Sequence, residues 1–346
     1  MNNMKGYMTG INFGGWISQY FAYDANMTDF KHHFDTFIIE EDVKIVAESG
    51  FDHVRVPVDY PALKELNGFF YLDSVIDWAK KHGLNVIIDL HSAPGFVFDK
   101  EENSLLDSPG HQDELADMWK KITARYKDEG QNIRFELLNE IKDSTPDKWN
   151  ALAERLIRDI RTIDTEHFIV VGGINYNSID ALEGLKRFDD DKIMYTFHMY
   201  KPLPFTHQTA SWVPCLMDMK VQIPYPCPMD EYNTAIKENT KNITMQFSPP
   251  EIVAGRDIDK EYLRELFAPA IDFIKETGLP LYNGEYGVID VVDMQSRVNY
   301  VNDIAELCIE YGIGRAMWNY KELNFRFVDK DRNIVSDNLV KAAAKR

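Results

Sequence analysis

Arg134-Phe135-Glu136-Leu137-Leu138-Asn139-Glu140 decides how the rest of the chain is read. A β-prone apolar run stops abruptly at an amide and a carboxylic acid. A strand at the mouth of a parallel β-barrel has this look, and barrel enzymes keep their chemistry at the carboxyl ends of their strands. Glu140 is therefore expected to be half of a catalytic pair, and the other half should lie at the end of another strand.

Outward from this stretch the chain alternates β-branched runs with helical patterns. Strands are expected over residues 10–13, 53–58, 85–91, 133–140, 168–172, 193–200, 280–285 and 314–318. Helices are expected over 40–49, 72–82, 113–126, 147–163, 178–185, 260–276, 297–311 and 338–344. Gly50 and Gly83 supply the stops of two of them. Leu152, Leu156, Ile157 and Ile160 give the helix over 147–163 one apolar side, and Val86-Ile87-Ile88 reads as a strand buried on both faces. Eight βα units in strict alternation predict a closed (β/α)8 barrel, an α/β fold in which residues 1–346 form a single catalytic domain. A doubly wound sheet is the alternative. It usually opens on a glycine-rich phosphate turn, and Gly14-Gly15 does not complete that fingerprint.

One stretch breaks the rhythm. Residues 201–259 carry eight of the fifteen prolines, together with Phe205, Trp212, Tyr225, Tyr232 and Phe247. Those aromatics can bury a small core, so this stretch reads as a subdomain inserted between strand six and the following helix, roofing the barrel mouth.

Composition narrows the partners. A formal net charge of −18 argues against nucleic acid or an anionic membrane, both of which select basic patches. No run of about 18 apolar residues is present, so no membrane span is expected. The first residues lack the charged-then-apolar pattern of a signal peptide, which places the chain in the cytoplasm unless a leader has been removed. Cys215, Cys227 and Cys308 make no disulfide framework; Cys215 and Cys227 are close enough in sequence to pair, but free thiols are expected. No zinc spacing occurs, and Asp329-Lys330-Asp331-Arg332-Asn333 lacks the glycine and glutamate of a calcium loop, so it reads as a turn. No metal or organic cofactor is expected.

The polar groups at the expected strand ends are Asn12, His53 and Arg55, Asp89 and His91, Asn139 and Glu140, His198 and Tyr200, Glu285, and Trp318. Residues two apart on a strand share a face. Glu140 and Glu285 fall on strands four and seven, across the mouth from each other. Two facing carboxyls about 5 Å apart equip a retaining glycosidase, and a gap of about 6.5–9.5 Å an inverting one. Each opposes ionisation of the other, which pushes their pKa values apart.

In these motifs the chain resembles glycoside hydrolase family 5 along essentially its whole length. The resemblance rests on Asn12 with Gly14-Gly15-Trp16, His53-Val54-Arg55-Val56-Pro57, Asp89-Leu90-His91, Leu138-Asn139-Glu140, His198-Met199-Tyr200, Gly284-Glu285-Tyr286-Gly287 and Trp318-Asn319. Phe205-Thr206-His207-Gln208 and Trp318-Asn319-Tyr320-Lys321 are similar to the clostridial endoglucanase C type, which also carries an insertion after strand six. The resemblance implies that Glu140 is the general acid/base and Glu285 the nucleophile. Asn139 would bond the 2-hydroxyl of the sugar in the −1 subsite, and Arg55 and Tyr200 would hold Glu285. Asn12, His91 and His198 would belong to the same subsite. Trp318 would form its floor, with a cis peptide to Asn319. Trp212 would stack on substrate from the insertion. Tyr60 departs from the tryptophan of many members, which bears on binding rather than chemistry.

Several residues have plainer readings. Glu136 and Glu322 alone would be solvated loop residues, and His32-His33 loop surface. His53 would be a buried barrel residue, and Asp89 a buried carboxylate anchoring the site from below. Trp78, Trp119 and Trp149 read as packing; Trp16 and Phe96 follow strands one and three, so packing and a sugar platform are both open for them, and the resemblance favours nearness to the cleft. The reading as a whole is a monomeric, retaining endo-β-1,4-glucanase acting on β-glucan oligosaccharides or polysaccharides. A mixed-linkage β-glucanase, a β-mannanase and a catalytically silent sugar-binding barrel are the alternatives.

Overall fold

The computed structural model describes residues 4–22, 27–100, 103–220, 222–240 and 254–346. Phe247, Pro249 and Pro250 of the insertion lie outside them. Eight strands form a closed ring in which every neighbour is parallel: β1 Gly10–Asn12, β2 His53–Val58, β3 Asn85–Leu90, β4 Ile133–Glu136, β5 Phe168–Gly172, β6 Ile193–Met199, β7 Leu281–Tyr286 and β8 Gly314–Met317. The ring closes where β1 pairs with β8 through Gly10–Ala316 and Ile11–Met317.

Alternation along the strands sorts side chains to two sides. Val54, Val56, Ile88, Phe135, Ile169, Val171 and Phe197 face the helices and join the large outer core. Ile87, Val170, Met194, Tyr282 and Ala316 turn inward and pack with Met4 and Tyr7 at the bottom of the ring. Above this apolar layer the ring interior is polar: Arg55, Asp89, Glu136 and Thr196 are all fully buried.

The structure departs from the expected elements in ways that have physical causes. β4 ends at Glu136 rather than at Glu140. Leu137 N still donates to Val170 O and Asn139 N to Leu90 O, so the chain stays pinned between both neighbours, but Glu140 takes a left-handed φ of 48°. Strict alternation would turn Asn139 away from Glu140; leaving the ladder lets both face the mouth. The expected helix over 260–276 is two, Lys260–Leu266 and Ala268–Thr277. Pro269, lacking an N–H, suits the first turn of a new helix better than the interior of an old one. Phe30–Phe37 is a helix, so His32 and His33 are not loop residues, and His33 Nε2 bonds Gly15 O at 2.8 Å. Trp16 is fully buried with Nε1 on Phe34 O, and Trp78 stacks on it. Trp16 is therefore packing, as Trp119 and Trp149 are, and Phe96 is buried as well.

A bulge in β7 has a direct bearing on the site. Phe197 pairs with Asn283 but His198 pairs with Glu285, so Gly284 is an extra residue. It reverses parity, and Glu285 faces the ring interior as Tyr282 does, three residues earlier. A Cβ at Gly284 would lie 2.9 Å from Thr196 Oγ1, so only glycine fits there without displacement. Among the described residues no helix is long and apolar enough to cross a membrane. The three cysteines are free and buried.

Candidate active site

Arg55 is the hub of the polar layer. Its guanidinium is fully buried and forks onto Glu136, with Nε to Oε2 at 2.7 Å and Nη2 to Oε1 at 2.9 Å. Nη2 also meets Asp89 Oδ2 at 3.0 Å and Asn139 Oδ1 at 2.9 Å. Nη1 donates to Asn12 Oδ1 and to Glu285 Oε1, both at 2.9 Å. Charge-assisted bonds of this kind are short and directional. Glu136 is thus no loop residue but a buried member of the network. It shares a face of the strand with Arg134, two residues earlier, inside the ring.

Asn12, expected in the −1 subsite, and Arg55, expected beside it holding Glu285, are sealed beneath the cleft and do not reach substrate. Asn12 is fully buried, and its Nδ2 is used on the carbonyls of Gly284, Ala316 and Met317. Both residues act on the site from below by fixing other groups. With Asn139 Oδ1 occupied by Arg55, the amide NH2 is the end left to face outward, 3.4 Å from His91 Nε2.

Glu285 accepts from Arg55 on one oxygen and from the Tyr200 hydroxyl on the other, at 3.0 Å. Glu140 has no cationic partner of that kind. Its Oε1 lies 2.7 Å from His198 Nδ1, and His198 is held neutral, its pKa driven well below the ordinary value by burial and then by the Arg55 charge. One oxygen of Glu140, one of Glu285 and a His198 nitrogen all lie within 4.8 Å of one another. A cation could in principle be ligated there, but both Glu285 oxygens are already engaged and a guanidinium stands beside them.

One guanidinium faces four buried carboxyls, so they cannot all be ionised. Burial and then the Glu285 charge push Glu140 well above the carboxylate range. Burial also raises Glu285, and Arg55 opposes it directly; with two donors on its oxygens, Glu285 is the member of the pair that keeps the charge. Burial raises Asp89 to about 7 against the pull of Arg55. Asp89 Oδ2 accepts from His91 Nδ1 at 2.7 Å, and burial lowers His91 to about 4. His91 is therefore a neutral ring whose Nε2 is left for Asn139 and the cleft.

The Trp318 ring stacks on His91 with centroids 5.9 Å apart and planes 7° off parallel. A Cβ at Gly14 would come within 2.5 Å of that ring, so the glycine is what lets the indole lie against the backbone. The Trp318–Asn319 peptide is cis. Trp212 is 50% exposed and meets His207 edge-on at 6.1 Å; His207 in turn meets Tyr200 at 5.0 Å. This chain of rings brings the insertion within two side chains of Glu285. Tyr60 spends its hydroxyl on Glu114, away from these groups. Asn177 went unnoticed in the sequence: it is fully buried, with Nδ2 3.4 Å from His198 Nε2.

Comparison with known proteins follows the same lines. A family model described as Cellulase (glycosyl hydrolase family 5) matches residues 18–324. Endoglucanase C of Acetivibrio thermocellus is 39% identical over 353 residues, covering 99% of each chain. Cellodextrinase A of Ruminococcus flavefaciens is 34% identical over 325 residues, 91% of this chain and 86% of that one. Among solved structures, Thermotoga maritima Cel5A in complex with cellobiose superposes with a TM-score of 0.74 at 27% identity, over 99% of this chain and 98% of that one.

Proposed function

The chain belongs to glycosyl hydrolase family 5, and from that premise we propose that Glu285 and Glu140 are its nucleophile and its acid/base. The protein is a glycoside hydrolase, an endo-β-1,4-glucanase acting on β-glucan chains. The observation that carries the assignment of roles is the asymmetry of the pair. Two buried carboxyls lie within 4.8 Å, and one of them is bonded to a guanidinium and a phenol while the other is not.

In the first step a Glu285 oxygen bonds to the anomeric carbon from the α face as the glycosidic C–O bond breaks. The proton of Glu140 passes to the departing sugar oxygen. In the second step the Glu140 carboxylate takes a proton from water, the water oxygen bonds to the same carbon, and Glu285 is released as carboxylate. Asn139 offers its NH2 to the 2-hydroxyl. Trp318 is the apolar floor for the −1 ring, and Trp212 provides an outer stacking surface from residues 201–259.

Two inversions at one carbon give net retention. Proton NMR of the first products from a β-1,4-linked oligosaccharide is expected to show the β-anomer before mutarotation. An initial α-anomer would remove Glu285 as nucleophile.

Tyr200→Phe deletes one of the two donors to Glu285. Losing a donor to the charged form raises the Glu285 pKa. The acidic limb of kcat/KM should move to higher pH by up to about one unit, since one hydrogen bond is worth about 1 kcal/mol. The alkaline limb, governed by Glu140, should stay in place. An acidic limb that did not move would show that Tyr200 does not tune the nucleophile.

A further inference from the structure

The turn after β5 buries one amide against His198. Asn175, Tyr176 and Asn177 all have left-handed φ, at 54°, 61° and 50°. Such backbone is sparsely populated outside glycine and persists only where its surroundings hold it. Here Ser178 forms a parallel bridge with His198 on β6, and Asn177 is fully buried beside the end of β5. A Cβ at Gly172 would come within 2.3 Å of Asn177 Oδ1, so that glycine makes the space the amide fills. Asn177 Oδ1 has no hydrogen-bond partner among the described residues, while Nδ2 lies 3.4 Å from His198 Nε2. A buried carbonyl left unpaired costs free energy. The fold bears that cost, and a strained turn with it, to keep an NH2 on Nε2.

The other ring nitrogen of His198 stands between the two carboxyls. Nδ1 is 2.7 Å from Glu140 Oε1 and 3.6 Å from Glu285 Oε2. In a retaining cycle the charge changes places: Glu285 is ionised in the free enzyme, and Glu140 in the glycosyl-enzyme. Nδ1 thus faces a carboxylate in both halves of the cycle, and a lone pair on it would be repelled each time. The ring is neutral, because burial and then Arg55 and His91 oppose its protonation. A neutral imidazole has a single N–H, and the group bonded to one nitrogen selects which nitrogen carries it. Asp89 and Glu136 act on Glu140 from the carboxyl side, and Tyr200 donates to Glu285. The Nε2 side is lined by neutral groups: a Cβ at Gly284 would meet both Nε2 and Thr196 Oγ1, and that hydroxyl makes no hydrogen bond among the described residues. Resting on the reading of Glu285 and Glu140 as nucleophile and acid/base, we propose that Asn177 is a positioning residue for the reaction: its NH2 donates to His198 Nε2, holds the ring proton on Nδ1, and lets one N–H serve whichever carboxyl is ionised. Glu140 Oε1 then accepts from the ring, and the proton given to the departing sugar sits on Oε2.

Nitrogen NMR of the whole enzyme carrying isotope-labelled histidine reads the ring directly, since protonated and unprotonated ring nitrogens resonate far apart. The His198 signals are those missing from His198→Gln. Near neutral pH the wild-type proton is expected on Nδ1. Asn177→Asp accepts the same left-handed φ but offers only an acceptor. The ring proton should move to Nε2, leaving Glu140 to satisfy Nδ1 by keeping its own proton. The alkaline limb of kcat/KM then moves to higher pH. kcat/KM for cellotetraose, whose leaving sugar needs that proton, should fall about ten- to hundredfold relative to 2,4-dinitrophenyl β-cellobioside, whose leaving group does not. Asn177→Gly keeps the turn and removes the donor without adding charge, and the same ratio should fall about three- to tenfold. A wild-type ring protonated at Nε2 overturns the proposal, as does a proton that stays on Nδ1 in Asn177→Asp. A ratio unchanged in Asn177→Gly, whether both substrates lose rate equally or neither does, overturns it too. All three leave the acid/base assignment standing; that reading fails separately if Glu140→Gln loses as much rate on the dinitrophenyl substrate as on cellotetraose.

Discussion

Glu285→Gln is expected to lower the rate of β-glucan hydrolysis on the order of 10⁴- to 10⁶-fold, the scale seen when a covalent nucleophile is deleted. The amide cannot bond to the anomeric carbon, yet it is nearly isosteric and can still accept from Arg55 on its oxygen. Glu140→Gln should cost less, about 10²–10⁴-fold, because only proton transfer is lost. The two roles separate by rescue with azide in the alanine variants. In Glu140→Ala the glycosyl-enzyme still forms, and azide displaces Glu285 to give a β-glycosyl azide. In Glu285→Ala azide takes the place of the nucleophile and gives the α-glycosyl azide. The opposite pairing of variants and anomers would exchange the assignments.

Glu140→Gln carries a stability signature as well. The folded-state pKa of Glu140 is raised, by burial first and the Glu285 charge second. A group raised in this way stabilises the fold below its unfolded pKa, and that contribution is lost as pH rises through the folded value. Glutamine has no such loss. The variant should therefore melt close to wild type at about pH 4 and above it at about pH 9. A gap in the melting temperature that is the same at both pH values would mean that Glu140 is not a strained buried acid.

Arg55→Met carries the second large effect, and it falls on the fold. The guanidinium is the cation shared by Asp89, Glu136 and Glu285, and removing one partner of a buried ion network costs about 3–5 kcal/mol. The sign of its pH dependence follows from the same contacts. Without Arg55 the folded-state pKa values of all three carboxyls rise. Stability is then present below their unfolded pKa values and lost as pH climbs through the raised ones. Urea unfolding should show a modest deficit near about pH 4 that widens toward neutrality. A deficit that is constant with pH would argue that methionine fails through shape rather than charge.

Most of the ring could be read from the chain because strand-like and helical patterns alternate along it except over residues 201–259, and because strands such as Val86-Ile87-Ile88 are buried on both faces. The polar constellation could be read because its members sit at strand ends. Three things could not. The bulge at Gly284 exists only relative to the registers of β6 and β8, which a single strand does not contain. The left-handed turn at Glu140 breaks the ladder for the sake of two side chains, where apolar Leu137-Leu138 gives no local signal to stop. Glu136 shares the residue type of a solvated loop acid, and it is the arginine two strands earlier in sequence that makes it a buried one. Trp16 stayed open for a related reason: a tryptophan after a strand can serve a cleft or fill the space under a helix, and Phe34 O decides which.

The separation of Glu140 from Glu285 is set by the ring itself. β4 and β7 stand across it, Leu137 and Asn139 tie the approach to Glu140 to both neighbouring strands, and the bulge in β7 points Glu285 inward from the wall. The girth of the barrel therefore dictates the stereochemistry of the product. Loops after β5 and β6 can be lengthened, shortened or exchanged, changing which chain is gripped and where it is cut, while the handedness of the released sugar end stays a property of the eight-stranded circumference.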